Sequence, residues 1–181
     1  HGILTLPAGL TRLEPADLLF APGPGASIRW RFVRARTAPV NVSWNPERLE
    51  ASEPYLSPRR LDMLTRMEPG HDAARRASFR LAPGILPTPQ LAQVLESNLH
   101  RFTYTLDNPS GKAANPLEDF LERTQAGHCE YYASAMALML RARGVPARVV
   151  NGYRLGAWIP EGGYFRVSQN EAHSWVEYWH E

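Results

Sequence analysis

Two stretches near the start of the chain alternate between apolar and polar positions. In "IRWRFVR", residues 28–34, Ile28, Trp30 and Phe32 fall on one face, and Arg29, Arg31 and Arg34 fall mostly off it. "VNVSW", residues 40–44, repeats the pattern through Val40, Val42 and Trp44. A period of two is that of a strand. With the turn-forming "TAP" between them, the two strands are expected to pair antiparallel. The arginines read as a solvated strand face rather than as a binding site. Residues 1–27, rich in Pro, Gly and Leu, show no such period and are expected to be irregular.

Farther along, the period becomes that of a helix. Three helices share one start signal, a capping side chain followed by proline at the first helical position. Ser57-Pro58 opens a stripe of Leu61, Leu64 and Met67. Thr88-Pro89 opens one of Leu91, Val94, Leu95, Leu99 and Phe102. Asn115-Pro116 opens one of Leu117, Phe120 and Leu121. Glu118 stands three residues after Asn115, the capping-box position. These stripes read as core faces without chemistry. The stretch 68–87 gives no clear signal beyond a possible strand at "ASFRL".

A fourth helix follows Gly127 and His128. Tyr132, Ala135, Met136, Met139 and Leu140 form its stripe, and alanines at 133, 135 and 137 keep its other sides narrow. Arg141 and Arg143 suit the negative end of the helix dipole, and Gly144 supplies a left-handed cap. The remainder, "ARVVNGYRL", "GGYFRVSQ" and "AHSWVEYW", reads as an antiparallel meander.

Composition narrows the function classes. With 181 residues the chain suffices for one domain with a sizeable core and a small appendage. The formal net charge of +2 offers no electrostatic footprint for nucleic acid. Most of the 16 prolines precede residue 90, so the first half should be built from short elements. One cysteine excludes an internal disulfide. No run of about 18 apolar residues is present to span a bilayer, and no signal peptide is visible. The chain starts at His1 and ends inside an expected strand, so it is read as a piece of a longer protein.

The single cysteine, Cys129, opens the fourth helix. A helix N-terminus carries free N–H groups and partial positive charge. It favours a thiolate, which is the nucleophilic form, and could bind a developing oxyanion. A cysteine on an apolar helix is as readily a buried, inert side chain. Gly127, which permits close approach, and the polar neighbours His128 and Glu130 argue for a site near water. Of six histidines, His173 has the most suggestive setting. It begins a strand on which His173, Trp175, Glu177 and Trp179 share one face. It could pair with the sulfur or be a structural group. Trp175 and Trp179 read as core, and His128 as surface. His71, His100 and His180 show no metal-ligand spacing. A zinc site at Cys129 and His173 lacks a second pair of ligands, so neither metal nor cofactor is expected.

The run "FLERTQAGHCEYYASAMALMLRARGVPARVVNGYRLG", followed by "AHSWVEYW", closely resembles the transglutaminase-like superfamily over roughly residues 88–181. The segment "GGYFRVSQNEAHSWVEYW" resembles the bacterial branch in which this domain is the extracytoplasmic part of an inner-membrane protein. The resemblance implies an α+β, papain-like core, its nucleophile helix packed on an antiparallel sheet. Cys129 matches the family nucleophile and His173 the general base of a Cys-His-Asp triad. The implied reaction is acyl transfer from a glutamine-type carboxamide on a protein or peptide, through a thioester, to an amine or to water. A cysteine protease or amidase on the same fold, or a non-catalytic peptide-binding module, are the alternatives. The location implied is periplasmic, with a membrane reached only through the parent protein.

The family aspartate lies on the strand after the histidine's, and only eight residues follow His173. Glu177 is four residues along the strand, about 13 Å away, too far to orient the ring, and Glu181 is farther. The expectation is a core at 57–181 that lacks its last strands and is weakly active at best. An accessory hairpin segment is expected at 1–56. An open sheet edge could let copies self-associate.

Overall fold

The computed structural model of the chain describes residues 56–180 apart from 155, 156, 163 and 167, and the backbone of five strands within residues 1–55. Its contacts divide into two units, His1–Tyr55 and Leu56–Glu181. The first unit contains β1 (Gly2–Thr5), β2 (Leu10–Glu14), β3 (Leu18–Pro22), β4 (Ser27–Phe32) and β5 (Asn41–Trp44). β4 is the centre of a three-stranded antiparallel sheet between β1 and β3, and β5 pairs with β2. Trp30 stands opposite Gly2 on one side and Phe20 on the other. Both expectations for this region are corrected. The alternating stretches form strands but do not pair with each other, because each finds an earlier partner. The region 1–27 holds three short strands. Its prolines and glycines mostly punctuate them, and strands this short show too few alternations to declare a period.

The second unit begins with α1 (Pro58–Thr65), α2 (Asp72–Leu81) and α3 (Thr88–Leu99). Ser57 caps α1 by accepting from the Arg60 N–H. The stripe on α1 is not a core face: none of its residues is buried, and Leu61 is 44% exposed. In α3 the cap is shifted by one residue. Pro87 is the N-cap, Thr88 is already helical, and no side chain caps the helix. Leu91, Leu95 and Leu99 are buried as their spacing requires.

The segment "ASFRL" belongs to helix α2, not to a strand. Its buried face is Ala73, Ala74, Ala77 and Ser78, which repeat at helical spacing. These small side chains let α2 lie close to the central helix, α5 (Cys129–Arg141). The Ser78 hydroxyl donates to the Met139 carbonyl across that contact, at 3.0 Å.

After α3 come β6 (Thr103–Tyr104) and α4 (Pro116–Asp119), capped by Asn115 through the Glu118 N–H. The helix then widens into a π-turn, Phe120–Thr124. Its extra residue lets the adjacent Phe120 and Leu121 both reach the core, each 0% exposed. Gln125 closes the turn by donating its N–H to the Phe120 carbonyl at 3.0 Å. It adopts φ +46°, a left-handed conformation uncommon outside glycine. β7 (Ala126–Gly127) pairs parallel with β6 and delivers the chain to α5.

α5 is the axis of the core. Ala135, Met139 and Leu140 are fully buried, and Ala133 and Ala137 nearly so. The helix packs against α2 and α3 and against the pair β8 (Ala147–Tyr153) and β11 (Ala172–Tyr178). Gly144, at φ +76°, ends the helix, and Val145 donates its N–H to the Leu140 carbonyl at 3.0 Å.

The final strands are not a meander. β8 pairs with β11, while β9 (Ala157–Ile159) and β10 (Tyr164–Arg166) form a separate hairpin between them. At its base the Arg154 N–H donates to the Glu171 carbonyl at 2.8 Å. Ser168 and Glu171 cap each other around a single 3₁₀ turn, Gln169–Glu171. No helix among the described residues is long and apolar enough to cross a membrane.

Candidate active site

Cys129 is the first residue of α5 and is half-buried. The N-cap, His128, makes no side-chain capping bond. Its ring lies edge-on to Tyr131 at 5.1 Å, with Nδ1 3.9 Å from a Glu130 carboxylate oxygen. The first-turn N–H groups at Cys129 and Glu130 are therefore not consumed by a cap. Glu130 places a negative charge in the first turn, where it complements the helix dipole.

The approach to this turn is crowded. A Cβ on Gly127 would meet Tyr131 Cδ2 at 3.1 Å and Phe120 Cδ2 at 3.3 Å. The glycine serves the packing of two protein rings rather than access by a substrate. Phe120 is wedged between Phe102, Tyr131 and Tyr132, with ring centroids at 5.4, 5.4 and 5.2 Å. Tyr131 is held in turn by its hydroxyl, which donates to Asn108 Oδ1 at 2.7 Å. The buried Tyr132 hydroxyl has no hydrogen-bond partner among the described residues, and burial pushes its pKa up.

The position of His173 follows from register. In the β8–β11 ladder His173 faces Gly152, Trp175 faces Val150, and Glu177 faces Arg148. Paired residues share a face of the pleat, so these three pairs lie on one side. Gly152 brings no side chain to contest the space beside the imidazole.

Helix and ladder meet at the other end of α5. There Arg141 Nε donates to the Ala147 carbonyl at 2.8 Å. From Arg141 back to Cys129 the helix rises about 18 Å. From Ala147 to Gly152 the strand spans about 17 Å. The helix that begins with Cys129 thus packs on the strand that bears His173, although 44 residues separate the two in the sequence.

Neither described acid on or next to β11 orients the imidazole. Glu177 accepts from Arg148 at 2.8 and 2.6 Å. Glu171 accepts from the Ser168 backbone and hydroxyl, both at 2.6 Å. Those bonds hold the Glu171 carboxyl below the usual glutamate range, the Ser168 hydroxyl contributing most. Glu181 lies outside the described residues. Among the described residues, no group of three His, Cys, Asp or Glu side chains could hold a metal ion.

A pocket of about 400 Å³ opens on another flank of α5, lined by His128, Glu130, Tyr131 and Ser134 together with His71 and Asn108. Neither Cys129 nor His173 lines it.

Comparison with known proteins bears on this arrangement. The model of the transglutaminase-like superfamily matches residues 81–181. A protein-glutamine gamma-glutamyltransferase of Pseudomonas aeruginosa is 48% identical over 94 residues, which are 51% of this chain and 14% of that protein. An uncharacterized protein of Bacillus subtilis, YebA, is 39% identical over 82 residues, 42% of this chain and 11% of its own length. The crystal structure of the periplasmic domain of TgpA from Pseudomonas aeruginosa superposes with a TM-score of 0.69 at 29% identity. That match covers 98% of this chain and 64% of the TgpA domain. The chain thus spans a small part of its whole relatives.

Proposed function

The chain belongs to the transglutaminase-like superfamily, and on that premise we propose that it carries the Cys129 nucleophile and the His173 base of an acyl transfer from glutamine side chains. One observation supports the assignment: Cys129 opens a helix whose first turn has no side-chain cap, and that helix packs on the strand that bears His173. The likeness to a gamma-glutamyltransferase supports the choice of a carboxamide as substrate.

In this reading the imidazole takes the thiol proton. The sulfur attacks the carboxamide carbon, and the first-turn N–H groups of α5 receive the charge that develops on oxygen. The C–N bond then breaks, the imidazolium returns its proton to the nitrogen, and ammonia leaves a thioester on Cys129. A primary amine attacks the thioester next. It loses a proton to His173, forms an amide and restores the thiol. Water in place of the amine gives glutamate. The orienting acid of the triad is assigned to neither Glu171 nor Glu177. The likeness to a periplasmic domain supports an extracytoplasmic location within an inner-membrane parent.

The test offers a glutamine-containing peptide with a primary amine and follows ammonia and products. Amide product that disappears in Cys129→Ala and in His173→Ala is expected. Free acid alone removes transfer and leaves an amidase. No ammonia, together with alkylation of Cys129 no faster than a free thiol at neutral pH, overturns the catalytic assignment.

A further inference from the structure

The pocket of about 400 Å³ beside α5 holds polar groups that the protein itself leaves unpaired. Its size falls within the range of small-molecule sites, about 300–1,000 Å³. It is walled by the N-cap of α2, the loop from β6 to α4, and the first two turns of α5. On α2, His71 Nδ1 accepts from the Glu68 N–H at 3.1 Å. The ring proton is therefore on Nε2, a donor with no partner among the described residues. On the loop, Asn108 Oδ1 accepts from the Tyr131 hydroxyl at 2.7 Å. That bond fixes the amide, and its Nδ2 donor is likewise unpaired among the described residues. On α5, Glu130 and Ser134 lie one turn apart on the same face. The Ser134 hydroxyl has no partner among the described residues, and the Glu130 carboxylate has only His128 Nδ1, at 3.9 Å.

These groups select a ligand. No lysine or arginine lines the pocket, and carboxylates and phosphates are held chiefly by those cations. An anion would also meet Glu130. An ammonium would suit Glu130 but would face the His71 and Asn108 donors, and a desolvated donor without an acceptor is costly. An apolar ligand would leave all four groups unpaired. A hydroxyl both donates and accepts. A ring bearing several hydroxyls satisfies His71 and Asn108 with its oxygens and Glu130 with its protons, and Ser134 serves either way. Tyr131, Pro116 and Leu117 supply apolar surface for the C–H face of such a ring. We propose that the pocket binds a single neutral sugar ring. The inference does not depend on acyl transfer, because neither Cys129 nor His173 lines the pocket.

The donors are held in place before a ligand arrives. Asn108 is anchored through its side chain to Tyr131 and through its carbonyl, which accepts from the Gly111 N–H at 3.1 Å. Asn115, in the wall beside it, has no spare group. Its Oδ1 accepts from the Glu118 N–H, and its Nδ2 donates to the Gly70 carbonyl and to Glu118 Oε2. The bond to Gly70 ties the loop to the turn that carries His71. Polar groups fixed in this way lose little freedom on binding. The ligand efficiency usual for drug-sized molecules, spread over the atoms of one hexose, gives a Kd of about 2 mM.

The experiment titrates the full, isotope-labelled chain with glucose, galactose and mannose, which differ in the orientation of their hydroxyls. Acetate and butylamine are the charged controls. Heteronuclear NMR follows the backbone amides of residues 128–134 and the side-chain amide of Asn108. At least one hexose should shift these signals saturably at low millimolar concentration, and neither control should. Asn108→Asp keeps an acceptor for the Tyr131 hydroxyl but puts a negative oxygen in place of the donor. It should weaken the hexose by about tenfold and admit butylamine. Ser134→Ala, which does not weaken the helix, should weaken the hexose by about threefold and gives a second reading if Asn108→Asp fails to fold. No shift with any of the hexoses, binding of acetate or butylamine as tight as theirs, or hexose binding unchanged by the variants overturns the proposal.

Discussion

Gly127→Ala tests the packing that sets the start of α5. The added Cβ would stand 3.1 and 3.2 Å from Tyr131 Cδ2 and Cγ, and 3.3 Å from Phe120 Cδ2. Contacts this tight require a neighbour to move by a few tenths of an ångström. Phe120 is 0% exposed and pinned by three rings. Tyr131 is tethered to Asn108 by its hydroxyl. Overpacking of this kind costs about 1–3 kcal/mol. Alanine also restricts the unfolded chain, a gain of about 0.4–1 kcal/mol where the native backbone accepts it. The strain is the larger effect, leaving a net loss of about 1–2 kcal/mol. Hydrogen exchange at the core amides of α5 reads the opening of this unit in the full chain. The most protected amides should exchange about 5- to 30-fold faster, at about 1.4 kcal/mol per tenfold. In a Tyr131→Ala background the same glycine replacement should cost at least about 1 kcal/mol less, because its nearest obstacle is gone. An exchange rate within about twofold of the parent, or a cost unchanged by the Tyr131→Ala background, would refute the crowding argument.

Three further outcomes are expected. Phe120→Ala should cost about 3–5 kcal/mol, read as a lower urea midpoint, because it empties the centre of the ring cluster behind Cys129. Arg143→Lys should lose about 1–2 kcal/mol in thermal unfolding. The guanidinium bonds the Ala82 and Gly84 carbonyls together while stacked over Phe79 at 4.4 Å, and an ammonium cannot do all three. For Glu171, the folded carboxyl titrates below its ordinary value. Its contribution is therefore present above that value and is lost as pH falls through the lower folded pKa. Exchange at the Ser168 and Arg154 amides should rise on acidification below the usual glutamate range, and Glu171→Gln should remove that pH dependence.

The sequence is legible where structure is decided by neighbours. Ser57 and Asn115 cap their helices because a cap needs only three residues of context. The long stripe of α5 is readable for the same reason. Helix α2 is not, because Ala73, Ala74, Ala77 and Ser78 give a hydrophobic pattern too faint to see. What makes that face effective is closeness, which has no signature in hydropathy. Strand partners in residues 1–55 are illegible because pairing is chosen over distance. The mutual cap of Ser168 and Glu171 does have a signal, a serine followed three residues later by glutamate, hidden in what reads as a polar run. At the site, the residue types nominate Cys129 and His173. The register that sets His173 opposite Gly152 is encoded by no local pattern. The crowding of Gly127 by Tyr131 and Phe120 is equally invisible, since it depends on the π-turn that precedes it.

The hairpin hung between β8 and β11 gives the fold an exchangeable part. The ladder from Ala147 to Tyr178 closes without it, and one backbone bond with one capped turn seals its base. Residues 154–171 therefore form a cassette of 18 positions. Halving or doubling its length changes the loop-closure cost by only about 0.6 kcal/mol. A change of length in this cassette therefore leaves the register of the strand pair that holds His173 unaltered. A hairpin of another length grafted between Arg154 and Glu171 should fold onto the same ladder.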